Sequence, residues 1–121
     1  LSKLIKNELE IISNSKINLC CLKINKKEPF NRIESDFKLI QMKNKSIVLI
    51  DDVLNSGKTL VYGVKYLLEV PLSNFNTAVL IDRNHKRFPI KIDFKGISLS
   101  TSIEENVNVV FDKNKSYAII D

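Results

Sequence analysis

The stretch Ile47-Val48-Leu49-Ile50-Asp51-Asp52-Val53-Leu54-Asn55-Ser56-Gly57-Lys58-Thr59 decides how this chain is read. Its opening residues are apolar and mostly β-branched. An unbroken run of this kind fits a strand covered on both faces, as in parallel sheets, and the strand is read over Ser46 to Asp52. Asn55-Ser56-Gly57-Lys58 then forms a tight loop. Thr59 to Val70 places Leu60, Val64, Leu67 and Leu68 on one helical face, and Pro71 with Ser73-Asn74 closes that helix.

A strand, a tight loop and a helix make an anion site. In open α/β sheets ligands bind beyond the carboxyl ends of the strands, where Asp51 and Asp52 stand. The first amides of a helix are unpaired, and the helix dipole favours negative charge beside them. Gly57 lets the backbone approach a phosphate closely, and the hydroxyls of Ser56 and Thr59 add donors. Two carboxylates one short loop away would repel that phosphate, but they suit sugar hydroxyls or a magnesium ion. A phosphorylated ribose satisfies both halves. Gly57-Lys58-Thr59 also resembles the tail of a triphosphate-binding loop. That motif needs a glycine five residues before Gly57, where Asp52 stands.

Outward from this segment the pattern is α/β. Leu1, Leu4, Ile5, Leu9 and Ile12 repeat at helical spacing. Ile17 to Ile24 reads as a short buried strand holding Cys20 and Cys21. Adjacent strand residues point to opposite faces, so the two thiols are read as reduced and unbridged. Asn25 to Glu34 has no periodicity and reads as a mobile loop, and Phe37 to Met42 as a short strand. Phe75 to Ile81 is a second apolar strand ending at Asp82-Arg83. Asn84 to Pro89 is a polar turn followed by irregular structure, and Val107 to Phe111 and Ser116 to Asp121 are short strands. Strands separated by helices predict a central, mostly parallel sheet flanked by helices, in a single domain over residues 1–121.

The 121 residues carry sixteen Lys and three Arg, for a net charge of +5. A solvated surface accounts for most of it, and attraction to phosphates on a substrate or on RNA is the functional alternative. No apolar run approaches the roughly 20 residues of a membrane helix. The N-terminus lacks a signal-peptide pattern, and reduced thiols suit a cytoplasmic protein. The first residue is not Met, so the expectation is a processed, trimmed or partial chain. His85, the only histidine, forms a basic turn with Lys86, Arg87 and Lys91. Aromatics do not interleave with it, so a base-stacking platform is unsupported. Tyr62 and Tyr66, one helical turn apart, read as packing residues.

Val48-Leu-Ile-Asp-Asp-Val-Leu-Asn-Ser-Gly-Lys-Thr59 resembles the phosphoribosyl diphosphate motif of type I phosphoribosyltransferases. The resemblance extends to the bifunctional pyrimidine operon attenuator/uracil phosphoribosyltransferase family. A second block supports it: Ala78-Val-Leu-Ile-Asp-Arg-Asn-His-Lys-Arg-Phe-Pro-Ile90, then Asp93-Phe-Lys-Gly96 and Ser100-Thr-Ser102. Together the blocks cover about Ile17 to Phe111.

The resemblance implies a magnesium-dependent transfer of a 5-phosphoribosyl group from phosphoribosyl diphosphate to a nucleobase, by an oligomer that is a homodimer or larger. It places Asp51, Asp52 and Asn55 at the catalytic positions. Asp51 and Asp52 would meet the ribose hydroxyls directly or through Mg2+, and Ser56, Gly57, Lys58 and Thr59 the 5′-phosphate. Asp82 and Arg83 would lie on the base or diphosphate side. Lys26, Lys27 or Arg32 would reach the diphosphate from a flexible loop over residues 25–34. Asn55 stands where purine enzymes carry an acid. An amide exchanges no proton at neutral pH, so the expected base is a pyrimidine such as uracil. The loop lacks the Tyr-Arg-Asp type of sequence the family carries there. The family also begins with a strand and a diphosphate loop before its first helix, whereas this chain begins inside that helix. The expectation is weak or no transferase activity from the chain alone. Two other readings are carried: an RNA-binding regulator that senses a nucleotide in the same pocket, and an inactive interaction module.

Overall fold

A computed structural model describes all residues from Leu1 to Asp121. Its organising element is a three-stranded parallel sheet made of β3 (Ser46–Leu54), β4 (Asn74–Asp82) and β5 (Phe94–Ser98), in that order. The β3–β4 register runs from Ser46 opposite Asn74 to Leu54 opposite Asp82. Parallel strands need a crossover, and helix α2 (Lys58–Leu67) provides it. Both strands are one or two residues longer at their C-terminal ends than the apolar runs suggest. The acids therefore lie within β3, followed by Val53 and Leu54.

Side chains alternate across a strand. The register puts Leu49 opposite Thr77, Asp51 opposite Val79 and Val53 opposite Ile81, so these residues share one face. That face is the one α2 covers. Leu60 of the helix packs with Leu54 and Val79, and Leu49, Ile90 and Ile92 close around them. Leu60 and Leu67 are buried, whereas Leu68 ends the helix with its side chain exposed. Val48, on the opposite face of β3, is 49% exposed. The core is thus concentrated directly beneath the helix that follows the Ser-Gly loop.

β5 went unread in the sequence. Its five residues Phe94–Ser98 are all exposed and carry no burial pattern, so only pairing to β4 defines it. Gly96 permits that pairing. A Cβ there would lie 2.6 Å from the Leu80 carbonyl oxygen, inside any real contact.

Elsewhere the structure corrects the local readings. Helix α1 (Ser2–Ile12) forms as its periodicity predicts but buries no residue, so α2 alone packs firmly on the sheet. The strand expected over Ile17 to Ile24 shrinks to β1 (Leu22–Lys23), because its only partner is the two-residue β2 (Glu34–Ser35). Cys20 and Cys21 precede β1 and are exposed free thiols. Burial of part of the Cys20 thiol still raises its pKa. Phe37 to Met42 is not a strand. Leu39–Met42 is a 3-10 turn held by the Gln41 side chain, which accepts the Lys38 amide at 2.9 Å. The two expected terminal strands form as β6 (Val107–Phe111) and β7 (Ser116–Ile120), and they pair as an antiparallel hairpin.

Gly96→Ala should destabilise the fold by about 1–3 kcal/mol through this backbone clash. A urea titration should show a lowered midpoint with an unchanged slope.

Candidate functional site

The loop Asn55–Gly57 joins the end of β3 to α2, and its conformation leaves its amides open. Gly57 has φ 84°, in the left-handed region, and the helix has no side-chain N-cap. The amides of Asn55, Ser56, Gly57, Thr59 and Leu60 donate to no protein acceptor. Lys58 is the exception: its N–H reaches Ser56 Oγ at a long 3.3 Å. The loop is held from behind. The Ser56 carbonyl accepts the amides of Arg87 and Phe88 at 2.9 and 3.1 Å, and the Leu54 carbonyl accepts that of Arg83 at 3.1 Å. Carbonyls therefore point inward to the fold and amides outward, which is the polarity an anion needs.

These amides face a hollow of about 550 Å3 lined by Asp51, Val53, Asn55–Leu60, Lys26, Arg83 and the segment Asn106–Asn108 with Asp121. Asp51 is in the hollow and Asp52 is not. The two carboxyls are still close enough for the charge of Asp52 to act on Asp51. Asp52 lies half-buried, and its Oδ1 accepts the Val53 amide at 2.8 Å. Lys58 and Thr59 both line the hollow, and Asn55 stands exposed at its mouth.

Asp51 is electrostatically strained. Desolvation, with repulsion from Asp52 behind it, outweighs the Asp52 amide and Lys26, and pushes its carboxyl up to about 6. A carboxylate held this way gains from a cation or from hydroxyl donors. No three His, Cys, Asp or Glu side chains gather into a metal cage. One half-buried carboxylate beside a row of open amides nonetheless fits magnesium, which binds through one or two carboxylates plus substrate oxygens and keeps several waters.

The other sequence candidates divide. Lys26 reaches the hollow because Asn25 Oδ1 accepts the amides of Lys27 and Glu28, at 3.0 and 3.3 Å, and turns the loop. Lys27 and Arg32 do not line it. Asp82 is buried behind it, where Oδ2 pairs with Lys95 at 3.1 Å and Oδ1 accepts the Asn84 amide at 2.9 Å. Burial works against its charge, but those two donors prevail and hold its carboxyl below the usual range. Arg83 lines the hollow, yet its donors go to the loop after β5: Nε to Thr101 Oγ1 at 3.0 Å, and Nη2 to the carbonyls of Ser102 and Glu105. Sequence reasoning missed Asn106, Val107, Asn108 and Asp121, which form the far wall. Nothing local marks them, because only the fold brings them some fifty residues back to the β3 loop. A second hollow of about 480 Å3 adjoins the first, sharing Asn55 and Arg83 and lined also by His85, Lys86 and Arg87.

The phosphoribosyl transferase domain model matches residues 3–114. This chain belongs to the phosphoribosyl transferase domain family. The match exceeds the span of the two motif blocks and takes in nearly all of α1 and the whole of β6. In sequence the chain is 37% identical over 94 residues to the bifunctional protein PyrR of Geobacter sp. (strain M21), covering 76% of this chain and 51% of that protein. It is 32% identical over 134 aligned residues to the bifunctional protein PyrR of Caldicellulosiruptor saccharolyticus, covering 100% of this chain and 72% of that one. The chain spans about half the length of several of the curated relatives it matches. In structure it is similar to the hypoxanthine phosphoribosyltransferase of Trypanosoma cruzi, with TM-score 0.69, 14% identity, and coverage of 98% of this chain and 67% of that one. This likeness establishes the type I phosphoribosyltransferase fold.

The raised carboxyl of Asp51 has a consequence for stability. The folded state binds this proton more tightly than the unfolded chain, whose carboxyl has a value near 3.8. Its contribution is therefore fully present below about pH 4 and is lost as pH rises through about 6. Asp51→Asn should raise stability at pH 7.5 by about 1–2 kcal/mol after solvent screening, with little effect at pH 4. Thermal melts of both proteins across that range would show the gap opening; a constant gap would contradict the assignment.

Proposed function

We propose that this phosphoribosyltransferase domain binds a 5-phosphorylated ribose and acts in the transfer of a phosphoribosyl group from phosphoribosyl diphosphate to a nucleobase, a pyrimidine such as uracil. The observation that carries the reading is the row of five partnerless amides opening onto a hollow that also holds the half-buried Asp51. Free amides select an oxyanion, and a carboxylate selects hydroxyls or a cation. A sugar phosphate presents both within one small molecule.

In this reading the amides of Ser56, Gly57 and Thr59 take the 5′-phosphate, with the Ser56 and Thr59 hydroxyls beside them. Asp51 orients the ribose through its hydroxyls. Asp52, outside the hollow, acts through Asp51: its charge disfavours the ionised Asp51 carboxyl until a sugar or cation arrives. Lys26 and the loop over 25–34 close on the diphosphate side, with Lys27 and Arg32 delivered only if that loop moves. Magnesium, held by Asp51 and substrate oxygens, would neutralise the departing diphosphate. The C1–oxygen bond breaks with its electron pair leaving on diphosphate, a base nitrogen forms the new bond to C1, and the base loses its N–H proton to solvent. Asn55 takes no proton, which supports a pyrimidine over a purine. Residues 1–121 act as one unit in this scheme.

A second reading has its own observation. Lys86 and Arg87 are exposed beside His85 and line the adjoining hollow, so a regulator that binds RNA there and senses a nucleotide in the first hollow is the alternative. RNA affinity that falls steeply with salt would favour it.

The direct test is calorimetric titration of the whole chain with ribose 5-phosphate and with phosphoribosyl diphosphate plus magnesium. Wild type should bind both. Gly57→Ala should weaken binding at least tenfold, because φ 84° strains any side chain and the new Cβ would sit 2.9 Å from Ile90 Cγ2. Diphosphate release with uracil reports transfer itself, and the expected rate from this chain is low. Absence of any sugar-phosphate binding by the wild type would sink the proposal.

A further inference from the structure

Arg83 is 4% exposed yet forms no ion pair. A buried guanidinium without a carboxylate is costly unless its donors are well used, and here they are used on one short segment. Nε donates to Thr101 Oγ1, and Nη2 donates to the carbonyls of Ser102 and Glu105. The segment is also closed on itself: the Ser102 amide reaches Glu105 Oε2 at 2.6 Å, and the Glu105 amide reaches Ser102 Oγ at 3.3 Å. His85 Nε2 adds a contact to the Thr101 carbonyl at 2.5 Å. The chain then runs straight into Asn106, where the far wall of the hollow begins. Asn106 and Asp121 exchange backbone hydrogen bonds of 2.5 and 3.0 Å, and Asn108 Nδ2 holds Asp121 Oδ1 at 3.2 Å.

The other end of Arg83 is tied to the opposite wall. Its amide donates to the carbonyl of Leu54, the residue before the Asn55–Gly57 loop. One residue therefore links the anion-binding loop, through its backbone, to the segment that delivers Asn106–Asn108, through its side chain. We propose that Arg83 is a positioning residue that sets the width of the hollow between the phosphate amides and the Asn106–Asn108 wall. It thereby governs recognition of whatever lies beyond the ribose rather than of the phosphate. The fork geometry is essential. Two nitrogens serve three oxygens spread over five residues, which a lysine ammonium cannot reproduce. Nη1 donates to nothing in the protein, so a direct ligand contact is the competing role.

This inference rests on the sugar-phosphate reading, and the test separates the two. The whole chain and its Arg83→Met, Arg83→Lys and Thr101→Val variants are titrated with ribose 5-phosphate and with uridine 5′-monophosphate. Amide hydrogen exchange is followed at Asn106–Asn108 without ligand. The expected result for Arg83→Met is ribose 5-phosphate affinity within about twofold of wild type and nucleotide affinity lowered about tenfold. Arg83→Lys should not restore it. Thr101→Val, a milder change that leaves the guanidinium in place, should move the same ratio in the same direction. Exchange at Asn106–Asn108 should quicken in all three. Equal losses for the two ligands would overturn the inference in favour of direct phosphate contact, and so would unchanged nucleotide affinity. If wild type binds neither probe, the sugar-phosphate reading fails, and unchanged exchange in the variants would then overturn the strut by itself.

Discussion

Everything at the candidate site depends on the parallel pairing of β3 with β4. That pairing sends the chain over the sheet through α2, and the crossover must start just beyond the end of β3. The loop that makes the start has its carbonyls engaged by Arg83, Arg87 and Phe88, all of which follow β4. With the carbonyls taken from behind, the amides face outward without partners. This outward polarity of the amides is a by-product of how the sheet is connected, and it needs no lysine to create it.

The same pairing sets the character of Asp51. Residue 51 lies on the face that α2 covers, so its carboxylate is partly desolvated, and no guanidinium or ammonium is close enough to compensate fully. Two neighbouring aspartates avoid that condition. Asp82 is buried more deeply, yet Lys95 and the Asn84 amide satisfy it, and Asp93 is held below its usual range by the Thr77 amide and Lys91. The contrast makes Asp51 a candidate functional carboxylate, since perturbed groups cluster in clefts.

The first hollow and its basic neighbour share Asn55 and Arg83, so events in one are mechanically close to the other. Asp82 and Arg83 are adjacent but serve different ends. Asp82 points back to β5 through Lys95, and Arg83 points forward to the loop before β6. Between them they fasten the end of β4 to both elements that follow it in the chain. The third strand and the far wall are thereby held to the two-strand unit that carries the motif.

The sequence alone determined the units whose cause is local. The β-branched run, the helical spacing from Leu60 to Leu67 and the Ser-Gly turn each dictate their own conformation, so β3, α2, β4 and the loop between β3 and α2 were legible, as were α1 and the two terminal strands, though not their pairing. The motif blocks were legible too, because they are contiguous. Tertiary structure decided what depends on contacts distant in the chain. It reduced Ile17–Ile24 to a two-residue strand for want of a partner, and it made a strand of Phe94–Ser98, whose exposed side chains carry no pattern. It put Asp51 in the hollow and Asp52 out of it, brought Asn106–Asn108 and Asp121 to the far wall, and spent the Arg83 guanidinium on a loop. The physical reason is the same throughout: periodicity and turn chemistry act over a few residues, whereas burial, pairing and the destination of a buried donor depend on neighbours that only folding supplies.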